Sequence, residues 1–401
     1  MICASCRSAR THEVLDFGEE ALAGGFLRRE DFAAERCYPL RLFFCEDCAL
    51  VQLADRVDPK VLFGDYFYHA SATATARAHF KGYAEDVLER FRPRSVLEIG
   101  CNDGVMLRHM AGRARVWGVD PSSVARGISL EGVEIVNDFF GAHLGMREID
   151  LIVANNVYAH VEDIHGLTAA VAEALSPHGV FVFEVHSLAA MVEGLQYDWI
   201  YHEHLFYYSL LALESLLRRH GLRVFDVEPQ ESHGGSVRYF ASKDTRHVSH
   251  RVGDQRGMER MRGLDRVDTF SNFAWAVQDH ARQLRGVLQR IRSGGRVIAG
   301  YGASGRAAAL IQHADLAEYL HCMFDDSPAR AGHFMPGSHL HINLGDELRN
   351  AEVPDDLLLF AWTYLDEILE RRSTFRGNVV VPFPEVAMHR FYVQDGRRMV
   401  A

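Results

Sequence analysis

Several absences narrow the reading of this 401-residue sequence. No apolar run approaches the ~18 residues that would span a bilayer; the longest, such as residues 357–362, are strand-sized. The start, Met1-Ile2-Cys3-Ala4-Ser5-Cys6, lacks the charged and then apolar pattern of a signal peptide. A basic excess is also missing: Lys+Arg is 43 against Asp+Glu 54, a net charge of −11. That balance argues against wholesale nucleic-acid binding, which needs a basic face to meet phosphates. Low-complexity character is absent too, since 48 % of residues are hydrophobic and 24 % charged, an ordinary globular mix. The expectation is a soluble, cytoplasmic, monomeric protein without nucleic-acid or membrane partners. At about 150 residues per domain, the length suggests two or three domains.

Cysteine is scarce but organised. Of seven Cys, four form two C-x2-C pairs, Cys3 with Cys6 and Cys45 with Cys48, separated by 38 residues. Two such knuckles supply four sulfurs for a tetrahedral zinc, and four sulfurs leave no open position for catalysis. Structural zinc is expected at Cys3, Cys6, Cys45 and Cys48; reduced thiols or a redox pair are the alternatives. The stretch between the knuckles must loop out and return. Cys37, Cys101 and Cys322 have no partner pattern and are expected to stay free.

Residues 1–65 read as the zinc module, 66–255 as a central domain, and 256–401 as a linking helix with a C-terminal domain. A helical stretch is expected at 70–91. Short buried strands follow at 96–99, 116–119, 149–154 and 180–185, with helical segments between them, so the sheet should be mostly parallel. Residues 222–227 and 237–241 fit later strands. Apolar residues from Met261 to Ile291 recur every three or four positions, giving one long helix or two shorter ones. A second α/β unit starts at 296–300, with strands at 321–324, 357–360 and 378–381. The fold class is α/β.

Two glycine loops stand between a strand and a helix. The second, Gly300-Tyr301-Gly302-Ala303-Ser304-Gly305, fits a dinucleotide fingerprint, with Asp325 or Asp326 placed for a ribose. The first is Glu98-Ile99-Gly100-Cys101-Asn102-Asp103-Gly104. It lacks a third glycine and has an acidic residue before its first one. Asp120 ends the next strand, Asp138 follows later, and Asn155-Asn156 ends the strand at 149–154. Together these segments resemble the S-adenosylmethionine core of class I methyltransferases, with a Rossmann-like sheet. The resemblance implies that Gly100 meets the methionine half, Asp120 the ribose and Asp138 the adenine. Glu98 would organise the loop from behind, with Asn102 and Asn155 completing the cofactor set.

The densest cluster is Tyr201-His202-Glu203-His204. Read alone it is ambiguous, because His-x-His in an extended segment can chelate a metal or form a surface loop. Its neighbours are Asn156-Val157-Tyr158-Ala159-His160 at a strand's C-terminal end and Ser232-His233-Gly234-Gly235-Ser236 before a strand. With the four-Cys module and Asp65-Tyr66-Phe67-Tyr68, nearly the whole chain resembles the nucleotide-sugar C-methyltransferases of deoxysugar biosynthesis. That family has an N-terminal zinc module, a central methyltransferase domain and a C-terminal Rossmann-like domain without bound nicotinamide. Its substrates are typically dTDP-linked 4-keto sugars.

The resemblance implies methylation at C3 of a nucleotide-linked 4-keto-6-deoxysugar. A ketone at C4 acidifies the C3 proton, so a base can make an enolate. Histidine suits that role near neutral pH, and His204 is the base the resemblance implies. Glu203 would orient neighbours or contact the sugar; Tyr201, His160 and Tyr68 are further candidates. The bland readings are core packing for Tyr68, a helix cap for His160 and a structural acceptor for Glu203. His233, Gly302, Ser304 and Arg306 are expected to bind substrate, the loop meeting the diphosphate at a helix start. The family usually has Lys where Arg306 stands. O- or N-methyl transfer, an NAD-linked oxidoreductase and a non-enzymatic zinc module that holds nucleotide sugars are the rival readings.

Overall fold

The structure, a computed structural model, describes residues 1–63, 69–349, 354–372, 375–394 and 397–400; the side chains of residues 60, 63, 349, 390–394 and 397–400 are not described. The chain divides into two compact units. One comprises Met1–Val14, Leu42–Ala190 and His204–Phe270; the other comprises Leu15–Arg41, Met191–Glu203 and Ser271–Ala401. Among the described residues, no helix is long and apolar enough to cross a membrane.

The first strands are β1 (Thr11–Ala21), β2 (Cys37–Cys45) and β3 (Val51–Leu53); with a later two-residue strand, β9 (Phe206–Tyr207), they form a four-stranded sheet in the order β1-β2-β3-β9. In the first unit, the end of β2 pairs antiparallel with β3 (Leu42 opposite Leu53), and β3 pairs with β9 (Val51 opposite Tyr207).

The main sheet of this unit contains β4 (Ser95–Ile99), β5 (Arg115–Val119), β6 (Val133–Val136), β7 (Ile149–Asn155), β8 (Leu175–His186), β10 (Arg223–Gln230) and β11 (Ser236–Ser242). Its order is β10-β11-β8-β7-β4-β5-β6. Numbered within the sheet, that is 3-2-1-4-5-7-6 from the β6 edge: a doubly wound order with β11 inserted antiparallel beside β8. The central strands are apolar on both faces because helices cover both. Val96, Leu97, Leu151, Ile152 and Val153 are all fully buried. The helix Ala74–Phe91 packs Phe80, Tyr83, Ala84, Val87 and Leu88 inward, and the Thr73 hydroxyl caps its start by accepting from Ala76 N. In this topology ligands sit at the strand C-termini where the order reverses, between β4 and β7.

The second unit holds β12 (Ile298–Tyr301), β13 (Leu320–Asp325), β14 (Ile342–Leu344), β15 (Asp356–Leu359), β16 (Asn378–Val381), β17 (Ala387–Gln394) and β18 (Arg397–Val400). The order β14-β13-β12-β15-β16-β17-β18 reads 3-2-1-4-5-6-7, parallel through β16 and antiparallel beyond it. Its reversal point lies between β12 and β15, where the second glycine loop emerges. Gly302 has φ +94°, and a Cβ there would lie 2.7 Å from the Cβ of Ala361.

Residues 259–291 form parts of two helices, His250–Met261 and Val267–Ser293. Gly263 at φ +70° ends the first, with Leu264 N bonded to Glu259 O and Gly263 N to Arg260 O. That left-handed cap explains the break in a pattern whose spacing alone allows a single helix.

Candidate active site

The turn after β4 is built for close approach. Gly100 has φ +72°, and a Cβ there would overlap Val157, so only glycine fits. Asn102 is also left-handed, at φ +47°. Its backbone N donates to Asp120 Oδ2 at 2.9 Å, and Ser122 N donates to Asp120 Oδ1 at 2.8 Å. The carboxylate at the end of β5 is thus aimed by two backbone bonds, with lone pairs remaining on both oxygens. Around this turn, Glu98 Oε2, Asp103 Oδ1 and Asn155 Oδ1 are buried acceptors without a protein donor. Burial pushes the Glu98 carboxyl well above its usual range. Beyond β6, Asp138 is half exposed; its Oδ1 accepts from Phe139 N at 2.7 Å. Residues 70 and 71 close on the turn, with Ala70 N donating to Asn102 Oδ1 and Ser71 N to Asp103 Oδ2.

Val157, packed on Gly100, begins the segment that reaches His160. Leu205 N donates to Ala159 O at 2.7 Å, which lays the His204 segment beside it. The rings of His160 and His204 come to 4.9 Å, at an interplanar angle of 62°. His204 is buried, only 7 % exposed. Local spacing did not reveal this pairing, because 44 residues separate the two histidines. Strand β11 begins after His233, which sits at φ +58° in a turn. Ser232 Oγ donates to Glu184 Oε1 at 2.7 Å, and Arg238 reaches Glu184 Oε2 at 3.1 Å. Burial raises the Glu184 carboxyl, but His79, Arg238 and Ser232 hold it down at about 2.

In the second unit, Tyr201 and Glu203 lie on the segment 191–203. Glu203 is buried, and burial pushes its carboxyl up to about 7 against the opposing effect of the Gly24 N–H. Burial lowers His202, whose Nε2 donates to Tyr38 O at 3.1 Å. Gly302 and Ser304 precede the helix Gly305–His313, and the Ser304 hydroxyl accepts from Ala307 N. Arg306 lies against Asp198, with Nε at 2.9 Å and Nη2 at 2.6 Å from Asp198 Oδ2. Its guanidinium stacks over Trp199 and Trp362, at 4.6 and 5.0 Å from their ring centres. Burial raises Asp198, and the Arg306 charge opposes this. Tyr68 lies outside the described residues.

Comparison with known proteins decides the family. Residues 75–227 match the family described as "Methyltransferase domain", 231–384 "C-methyltransferase C-terminal domain", and 3–63 "Putative zinc binding domain". The C-methyltransferase NovU of Streptomyces niveus is 33 % identical over 403 residues, covering 96 % of this chain and 95 % of that protein. The chain belongs to the C-methyltransferase family. Solved structures resembling it include an S-adenosylmethionine-dependent methyltransferase from Clostridium acetobutylicum (14 % identity, 42 % of this chain and 92 % of that one, TM-score 0.33). Another is from Mesorhizobium loti (21 % identity, 40 % and 99 % coverage, TM-score 0.34). The fold reading stands on the strand order above.

This C-methyltransferase is S-adenosylmethionine-dependent, and the turn fits that cofactor. The acceptor oxygens of Glu98, Asp103 and Asn155 suit an ammonium group, and the aimed Asp120 carboxylate suits two ribose hydroxyls. Asp103 joins the set without having been singled out from sequence, although it stands within the first glycine loop.

Among the described residues, Cys3, Cys6, Cys45 and Cys48 are the His, Cys, Asp and Glu group placed to hold a metal, their sulfurs all within 4.8 Å of one another. Cys3 and Cys48 sulfurs are 3.6 Å apart, Cys6 and Cys45 sulfurs 3.5 Å. A tetrahedron with Zn–S bonds of 2.3 Å has edges of about 3.8 Å. Burial, with the neighbouring Cys3 and Cys6 sulfurs, pushes the Cys45 thiol up to about 12, so its thiolate form calls for a nearby cation. The knuckle residue Ser5 accepts a 2.7 Å hydrogen bond at its carbonyl from His165 at the start of the helix Ile164–Ala174.

Proposed function

We propose that the chain methylates C3 of a nucleotide-linked 4-keto-6-deoxysugar, dTDP being the expected nucleotide, through an enolate formed by His204. The observation that carries this reading is the close approach of the His160 ring to buried His204, reached from the glycine turn through Val157. S-adenosylmethionine supplies an electrophilic methyl group. Carbon attacks it readily only as an enolate, so a base must act near that group. His204 takes the C3 proton, and His160 at 4.9 Å is placed to bond the enolate oxygen or a sugar hydroxyl. Asp120 holds the ribose and Asp138 the adenine. Gly100 keeps the backbone close to the methionine half, while Glu98, Asn102 and Asn155 shape its pocket. The burial of Glu98 and Asn102 excludes water, which strengthens every polar contact made there.

His233 is assigned to substrate, held in its left-handed turn by the Ser232–Glu184 bond. Tyr201 and Glu203 adjoin the base in the chain. In the second unit, Gly302 and Ser304 open a helix whose start attracts a phosphate. With its guanidinium on Asp198, Arg306 supports that turn.

The test uses a panel of dTDP-4-keto-6-deoxysugars with S-adenosylmethionine in D2O, read by mass spectrometry. Wild type is expected to add one methylene and wash deuterium in at C3. His204→Asn is expected to lose both by 100-fold or more, within the range of general-base contributions, while still binding S-adenosylmethionine. Normal turnover in that variant removes His204 from the mechanism.

A further inference from the structure

The stretch between the two cysteine pairs does more than connect them. Within the second unit, residues 15–41 meet the segment 197–203 at three successive points. His313 bridges the first: its ring contacts Glu20 Oε1 at 2.7 Å through Nδ1 and donates to Ile200 O at 2.7 Å through Nε2. Phe17 stacks on that ring at 3.8 Å, and the Glu20 and His313 side chains are both buried. Tyr38 supplies the second point, its carbonyl accepting from His202 Nε2. The third is a tight turn, with Gly25 N bonded to Leu22 O and Phe26 N to Gly24 O. It presents Gly24 N–H to the Glu203 carboxyl.

Gly24 is the sharpest of these. A Cβ built on it would overlap Glu203 Oε1, and the nearest heavy atoms around it all belong to the Glu203 carboxyl. Its φ does not demand glycine; the closeness of Glu203 does. The turn is itself anchored, since Ala21 exchanges two backbone bonds with the Gln312 side chain and Leu27 bridges to Phe334.

We propose that residues 20–38 are a clamp for the reaction motif, and that Gly24 is the positioning residue that holds the Glu203 carboxyl and favours its ionised form. The proposal rests on the reading of Tyr201-His202-Glu203-His204 as that motif. The titratable groups whose contacts tie these elements together are Glu20, His313, His202, Asp198 and Arg306. Glu20 and His313 pair with one another, as do Asp198 and Arg306, so Glu203 answers to burial and the Gly24 N–H. A methyl group at position 24 would push the carboxyl off its one backbone donor and leave its charge less favoured.

The test is infrared difference spectroscopy of the full zinc-loaded chain across pH. The Glu203 band is the one missing in Glu203→Gln, and wild type is expected to titrate near pH 7. In Gly24→Ala the midpoint is expected to rise by about one pH unit, a tenfold change, with S-adenosylmethionine affinity unchanged. Gly24→Ala/Glu203→Asp shortens the acid and makes room for the methyl. It is expected to recover the thermal midpoint, and to transfer methyl to the dTDP-4-keto-6-deoxysugar panel as fast as Glu203→Asp alone. An unmoved infrared midpoint in Gly24→Ala overturns the proposal. If Gly24→Ala does not fold, the double variant decides, and its failure to fold overturns the proposal as well. Methyl transfer indifferent to Glu203→Gln would instead sink the catalytic reading of Glu203, while the infrared titration still judges the clamp.

Discussion

Replacing Glu203 by Gln should make the protein more stable at alkaline pH and change little at acidic pH. Burial moves the Glu203 carboxyl from 4.5 to about 7, and the Gly24 N–H only partly offsets it. The folded chain therefore holds this proton more tightly than the unfolded chain does. Through the window from 4.5 to about 7 the folded state binds more protons, so stability falls as pH rises, and the full cost is present above the window. At 1.36 kcal/mol per pH unit, the interval is worth about 3 kcal/mol. Gln keeps the shape of the side chain but cannot ionise. The variant is expected to exceed wild type by about 3 kcal/mol at pH 8, with the gap closing towards pH 5. Urea unfolding followed by tryptophan fluorescence reads this well, because Trp199, Trp275 and Trp362, three of the four tryptophans, belong to the second unit. All other groups are common to both proteins, so the difference between them isolates Glu203. A gap independent of pH, or a variant weaker than wild type at pH 8, refutes the argument. Retaining so costly a carboxyl suits a group poised for proton work near neutral pH.

Three further outcomes concern the first unit. Protein purified without chelator should carry one zinc per chain by elemental analysis. Cys45→Ser should bind zinc at least ~10-fold more weakly, because it removes one of four sulfurs at a closed site. Asp120→Ala should weaken S-adenosylmethionine binding about 30- to 100-fold by calorimetry, the equivalent of about 2–3 kcal/mol, since it removes the ribose acceptor and strands two backbone donors. Unchanged affinity in that variant would place the ribose elsewhere.

What the sequence discloses follows from how far apart the interacting residues lie. The two cysteine pairs and the strand and glycine turn at Gly100 are local signals, and the structure has them where spacing puts them, although the helix expected after that turn is a single 3-10 turn at Leu107–His109. The helix expected at 70–91 runs from Ala74 to Phe91. Short edge strands escape the same reasoning. Val133–Val136 forms the β6 edge and Ile342–Leu344 the β14 edge; apart from buried Ile342 their residues are at least partly exposed, without the continuous apolar run that marks a central strand. The antiparallel pair β17–β18 is also missing from the sequence reading. Met261 continues the apolar spacing of its helix yet is 82 % exposed, and that helix breaks off at the left-handed Gly263.

Chemical character at the site is the least local property of all. Nothing in Tyr201-His202-Glu203-His204 distinguishes Glu203 from an exposed glutamate titrating in its ordinary range. Its shift comes from burial, partly offset by the N–H of Gly24, 179 residues upstream. Arg306 reads from its place at a helix start as a free phosphate ligand, but Asp198, 108 residues earlier, takes its guanidinium. Asp198 is itself buried, so removing Arg306 would leave an uncompensated charge worth about 3–5 kcal/mol. Motif spacing thus identifies which side chains can do the chemistry. The partners that decide their charge are brought in by the fold, from residues whose own local pattern says only strand, turn or helix.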